Sequence, residues 1–223
     1  MAKTIQHKND LPYFGEESLL ETAPERSFSQ MIFELLSGKA PDIHQGKVFE
    51  TILNISIDHG EETPSATETI RAAKEGKTIS ESVASGILQI NDTHGGAIEP
   101  AMGLLYKIKN QKLNIKNLVQ EQLRQGNRIP GFGHRIYEVD PRSQLLFKLA
   151  KDEGISDEYI NLAQEIAREL LEQKGKVLPV NIDGAIAAIL CAFGWDPKPG
   201  KAVFVIARTP GLCGQYLNNC LTS

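Results

Sequence analysis

Residues 128–142 read RIPGFGHRIYEVDPR, and this stretch decides what kind of molecule the chain folds into. It gathers three arginines, two prolines and a histidine in a protein whose formal net charge is -4. Neither a helix nor a strand period runs through its first half, which therefore reads as a loop. Gly131 and Gly133 make that loop flexible, so His134 can turn its ring into a cleft. Arg135 and Arg142 offer paired N–H donors that match a carboxylate in a way a lysine does not. In the second half, Asp140 and Pro141 form an N-cap and first-turn pair that opens a helix ending near Gly154.

Outward from this loop, most of the punctuation is helical. Ser27-Phe-Ser-Gln30 reads as a capping box whose helix Gly38 closes. Ser65-Ala-Thr-Glu68 repeats the pattern with Gly76 as the stop, and Thr78-Ile-Ser-Glu81 starts an apolar segment through Val83, Ile87 and Leu88. Ile115, Leu118, Val119 and Leu123 keep helical spacing between Asn114 and Gly126. Residues 157–174 place Ile160, Ala163, Ile166, Ala167, Leu170 and Leu171 on one face, with acids in the first turn and a lysine near the end. No alternating pattern with hairpin turns stands out. LPVNI (178–182) and AVFVIA (202–207) are short apolar runs that suit strands, although period alone does not assign them. The expectation is a mainly α chain of about nine or ten helices, with no internal repeat. Residues 196–200 (DPKPG) form a turn too short to separate domains.

The totals suit one domain. A chain of 223 residues buries about 70% of its unfolded surface, enough for a core without staples. Cys191, Cys213 and Cys220 are odd in number and lack C-x-x-C spacing, which argues against a disulfide framework or a zinc site. The N-terminus MAKTIQHKND lacks a signal-peptide core, and no run approaches the roughly 18 apolar residues that span a bilayer. A cytoplasmic protein without membrane contact is expected. A pI near 5.8 without a basic stripe also removes the footprint of a nucleic-acid binder.

Three further places put an ionisable group where helix logic does not require one. Asp58-His59-Gly60 follows the apolar run Val48, Ile52, Leu53, Ile55, where a histidine also suits a helix C-terminus through the dipole. His94-Gly95-Gly96 combines a histidine with paired glycines, which serve either close approach of a ligand or a tight turn. Asn181-Ile-Asp183-Gly184 puts an acid at the start of the segment 185–193, and Asp183 is either a functional carboxylate or an N-cap. Arg128, Lys174 and Lys176 suit a phosphorylated ligand or solvated surface. No P-loop, GxGxxG or convincing metal-ligand spacing occurs, so no metal is expected.

The order of these pieces is specific: Asp58-His59-Gly60, His94-Gly95-Gly96-Ala97, Pro130-Gly-Phe-Gly-His134-Arg135 with Asp140-Pro-Arg142, Asn181-Ile-Asp183, and Ala207-Arg208. That succession resembles the citrate synthase superfamily over residues from about 27 to 217. Within it the details are more similar to citryl-CoA lyase and the citrate-synthase-homology part of ATP-citrate lyase. Synthases continue D/E-H-E where this chain has D-H-G, and follow the catalytic aspartate with F-Y-S-G where it has Gly184-Ala-Ile-Ala. The chain also stops 15 residues after Arg208, before the R-P segment through which synthases lend an arginine to a neighbouring site, and much of the synthase N-terminal helical region is missing.

The resemblance implies a citrate-synthase-like multi-helix fold, with a large helical lobe over 1–100 plus 191–223 and a small CoA-binding lobe over 101–190. It implies citryl-CoA cleavage to acetyl-CoA and oxaloacetate, next to the tricarboxylic acid cycle. Citrate synthase activity, a methylcitrate-type substrate pair, or a non-catalytic CoA-binding subunit are the alternatives. Asp183 would exchange a proton with the acetyl methyl carbon, and His59 would hydrogen-bond the thioester oxygen. His134 would take the citryl hydroxyl proton or supply one to the oxaloacetate carbonyl. Arg142 and Arg208 would hold substrate carboxylates, His94 would lie near the oxaloacetate pocket, and Arg135 would face either substrate or CoA phosphates. Backbone groups of Ile129, Pro130, Gly131, Phe132 and Gly133 would contact the CoA adenine. The implied cofactor requirement is nil, with the CoA thioester entering as substrate. The implied partners are a second copy in a homodimer or higher homo-oligomer and a protein that forms citryl-CoA.

Overall fold

The computed structural model describes residues 2–91 and 95–220. The chain starts with a small antiparallel meander that the sequence pattern concealed: β1 (Ile5–Lys8), β2 (Leu11–Phe14) and β3 (Glu17–Ser18), in that order. Asn9 and Asp10 both take positive φ, 51° and 62°, as a two-residue hairpin turn demands. Every residue of β1 is exposed, so no alternation of apolar and polar residues marks it. Phe14 is the one side chain of the three strands that is buried. The meander is tied down mainly by charge. Glu34 is 3% exposed and pairs with Lys3 and Arg26, which both also reach Glu17.

Eleven helices follow among the described residues: α1 (Leu19–Glu25), α2 (Phe28–Ser37), α3 (Ile43–Ile55), α4 (Pro64–Lys74), α5 (Ile79–Ile87), α6 (Ile98–Gln111), α7 (Ile115–Arg124), α8 (Pro141–Asp152), α9 (Glu158–Lys174), α10 (Ile182–Ala192) and α11 (Pro199–Cys220). The mainly α reading holds. Both the Ser27–Gln30 and Thr78–Glu81 capping boxes form, and Gly38 closes α2 in the left-handed region. Ser65 is not a cap. Thr63 takes that position because Pro64, which has no N–H to satisfy and a helical φ, sits at the first helical position. AVFVIA is helix within α11, not strand, and LPVNI forms only a single bridge between Val180 and Phe132 before α10 begins. Short apolar runs carry no period, so neighbours assign them.

The core is organised around α10. All residues from Ile182 to Cys191 are buried, which is the signature of a helix wrapped on every side. It packs against α6, α8 and α9. One continuous apolar cluster runs from Ile32 to Phe204, and Ala66, Val83 and Leu212 form a satellite where α4, α5 and α11 meet. No helix among the described residues is long and apolar enough to cross a membrane.

Candidate active site

Four pieces of chain converge: the irregular segment after α3, the loop before α8, the start of α10, and the middle of α11. The 131–133 loop is stitched to the strand-like approach to α10. The Gly133 N–H donates to Pro179 O (2.8 Å), the Asn181 N–H to Gly131 O (3.0 Å), and Asn181 Nδ2 to Gly133 O (3.0 Å). The approach is so close that a Cβ on Gly184 would lie 2.3 Å from Gly131 O, and one on Gly131 would lie 2.8 Å from Gly184 Cα. Gly131 also has φ +87°, so both glycines are required. This contact sets Asp183, beside Gly184, against the loop that carries His134.

Asp140 makes the second stitch. It is 1% exposed. Its Oδ1 accepts from Arg142 N–H and Nε, both at 3.0 Å, and its Oδ2 accepts from Arg142 Nη2 (2.8 Å) and from Ile182 N–H (3.1 Å). One carboxylate therefore caps α8 and holds the first residue of α10. Burial pushes its pKa up, but the hydrogen bonds and charge of Arg142 outweigh that and hold it below the usual range.

Arg142, pinned this way, reaches both histidines. Nη1 lies 3.4 Å from His59 Nδ1 and Nη2 3.3 Å from His134 Nε2, and the two rings are 6.0 Å apart. His134 Nδ1 accepts from the N–H groups of Ile136 (3.1 Å) and Tyr137 (3.2 Å), and its ring stacks on Tyr137. An imidazole that accepts at Nδ1 carries its hydrogen on Nε2 when neutral, so the Arg142 Nη2 approach to His134 Nε2 is a contact between two donors and not a hydrogen bond. The guanidinium assigns the same tautomer to His59. Burial, then Arg142 and Arg208, lower the His59 pKa, and burial is the leading cause for His134, so both rings are neutral near pH 7.

Asp183 is 8% exposed, and burial raises its pKa to about 6 against the opposing pull of Arg142, the Ala97 N–H and Arg208. It is not the N-cap of α10. Asn181 takes that role by accepting from Gly184 N–H, so the Asp183 carboxyl is not consumed by capping. His59 likewise lies beyond the last residue of α3, Ile55, where the helix dipole is not its reason for being there. Arg208 is 2% exposed. Its Nε donates to Ser56 O (2.9 Å), its guanidinium lies over the Phe204 ring, and Nη1 has no hydrogen-bond partner. A buried cationic donor without a partner is costly, and a ligand carboxylate would relieve it.

His59, His134, Asp183, Arg142 and Arg208 are thus brought together. Arg135 is exposed, and its charge helps to lower the His134 pKa. His94 lies outside the described residues. Ile129 is buried, while Pro130 and Phe132 line a narrow apolar cavity with Leu104 and Ile166. The carbonyls of Gly131 and Gly133 and the Gly133 N–H are engaged by residues 179–181. The double-capping role of Asp140 and the clasp made by Asn181 went unseen in the sequence, although D-P-R and N-I-D each hinted at a helix start.

This arrangement brings groups suited to acid–base chemistry together within a helical fold. The chain belongs to the family described as citrate synthase, C-terminal domain, which matches residues 1–222. It is 34% identical over 192 residues to the probable ATP-citrate synthase of Dictyostelium discoideum, an alignment that covers 78% of this chain and 31% of that protein. The chain thus spans less than a third of the length of that relative. The structure of citryl-CoA lyase from Hydrogenobacter thermophilus superposes with a TM-score of 0.93 at 35% identity, covering 100% of this chain and 88% of that one. The citrate synthase of Thermotoga maritima matches with a TM-score of 0.72 at 19% identity, over 87% of this chain and 54% of that one.

Proposed function

We propose that this protein is a citryl-CoA lyase that yields acetyl-CoA and oxaloacetate. The observation that carries the reading is the convergence on Arg142 of two neutral histidines beside a buried carboxyl group whose pKa lies near neutrality. In the condensation direction, ionised Asp183 takes a proton from the acetyl methyl group while His59 Nε2–H holds the thioester oxygen as the enolate forms. The carbon attacks the oxaloacetate carbonyl, and His134 Nε2–H supplies the proton to its oxygen, with Arg142 beside the nitrogen to offset the charge left behind. Cleavage runs the same transfers backwards, so Asp183 enters it protonated and His134 enters it with Nε2 deprotonated, as the base for the citryl hydroxyl, its charge offset by Arg142. Arg142 and Arg208 take substrate carboxylates. His94 is assigned to the oxaloacetate side, the 129–133 loop to the CoA adenine and Arg135 to a phosphate or carboxylate at the rim.

The fuller match to the lyase than to the synthase supports cleavage over net citrate formation. A non-catalytic CoA-binding subunit has no use for His59, His134 and Asp183 together. The same reading keeps the lobes at 1–100 plus 191–223 and 101–190, with a second copy and a citryl-CoA-forming protein as partners in the cytoplasm. Incubation with citryl-CoA, coupled to malate dehydrogenase, should consume NADH as oxaloacetate appears; no oxaloacetate would refute the lyase. Rapid, stoichiometric release of free CoA from acetyl-CoA plus oxaloacetate would assign a synthase instead.

The Asp183 carboxyl also sets the pH dependence. Condensation needs it ionised beside a neutral His134, so that rate should fall as pH drops through about 6. The net reaction neither takes up nor releases a proton, so the free-enzyme kcat/KM profile for cleavage should follow the same limb. Profiles that stay flat through that value would remove Asp183 from the proton transfer.

A further inference from the structure

His59 belongs to an irregular segment, and its one described side-chain hydrogen-bond contact, to Arg142, is long at 3.4 Å. What holds it lies on α11. Arg208, Gly211 and Gln215, spaced i, i+3, i+7, share one face of that helix. Each meets the segment leading into His59. Arg208 Nε donates to Ser56 O at 2.9 Å. A Cβ on Gly211 would lie 2.0 Å from Ile57 O and 3.0 Å from the Asp58 Cβ, so the helix lies flush on that backbone. Gln215 Nε2 donates to Asp58 Oδ2 at 2.9 Å.

The Gln215–Asp58 pair is costly as a stabilising device. Gln215 is 8% exposed, and both Asp58 Oδ1 and Gln215 Oε1 are buried without a hydrogen-bond partner. An apolar pair of the same shape would leave no such orphans. It would also lack direction, whereas one donor on one carboxylate oxygen fixes the rotation of Asp58, the residue joined covalently to His59.

The geometry points to Gln215 as a positioning residue that sets the His59 ring through Asp58, without touching substrate. A small displacement of a catalytic group costs rate far more than binding.

The rate test rests on the lyase reading and uses two variants of the full chain. Gln215→Met keeps the volume and deletes the donor; kcat should fall about tenfold or more, with KM close to the parent's and the melting temperature lowered because the Asp58 carboxylate loses that donor. Gln215→Glu puts a carboxyl against Asp58. At low pH the two share a proton and keep the bond, and at higher pH both ionise and repel. The ratio of its kcat to the parent's, taken at each pH so that the Asp183 dependence cancels, should therefore fall as pH rises. A Gln215→Met enzyme with the parent's kcat, or a flat ratio for Gln215→Glu, would overturn the inference. Should the parent not cleave citryl-CoA, the function fails separately. The inference is then read from the His59 ring resonance by NMR, assigned through its loss in His59→Gln: a shift in Gln215→Met supports it, and an unmoved resonance sinks it.

Discussion

Replacing Asp183 by Asn should abolish citryl-CoA cleavage while leaving the fold intact. The amide cannot donate a proton to the enolate carbon or take one back, and general acid–base groups are worth about 10² to 10⁴ in rate. Binding should survive, because affinity for CoA comes from surfaces that Asp183 does not form; competition with CoA should give a dissociation constant within a few fold of the parent's. Stability should hold as well. The site already opposes the ionised form, as the carboxyl pKa near 6 shows, so a neutral side chain of the same shape removes a charge that burial disfavours. Undiminished turnover would remove Asp183 from the chemistry. A large drop in melting temperature would mean that the residue is a structural element of the α10 start.

Arg142→Ala should lose activity and stability together. Its removal leaves the Asp140 carboxylate, 1% exposed, without its cationic partner and with the backbone N–H groups of residues 142 and 182 as its remaining described donors. Breaking a buried pair by deleting one partner costs about 3 to 5 kcal/mol, because the other charge stays buried. Denaturant titration should show that loss as a lower midpoint. Adding Asp140→Asn to Arg142→Ala neutralises the stranded charge and should recover much of the midpoint without recovering turnover, since both histidines still lack the guanidinium between them. A double variant as unstable as Arg142→Ala would show that the loss does not come from the stranded charge.

Much of the fold was legible in the residues because helix ends are local events. Ser27, Thr78, Asn114 and Asp140 each cap the helix that the pattern assigns them, and a cap needs only a side chain and the backbone two or three residues on. The hairpin of residues 5–14 escaped because its strands are short and β1 faces solvent throughout, leaving no burial pattern to read. AVFVIA misled because all six residues are apolar, so the sequence shows no period even though the helix fully buries only Val203, Phe204 and Ala207 of them. Gln215 carried no signal, since its partner, Asp58, is 157 residues away.

The helical class, several of the helix starts and the ordered set of His59, His134, Arg142, Asp183 and Arg208 were thus readable from the residues alone. Each of these is a property of residue type and short-range spacing. Only the tertiary structure decided that one arginine stands between two neutral histidines, that Asp140 rather than a surface group holds it there, and that Asp183 is free of capping and sits near neutrality. Those are consequences of burial and of contacts between residues far apart in the chain. Desolvation and charge pairing take their sign from which groups the fold encloses together, and no local pattern records that.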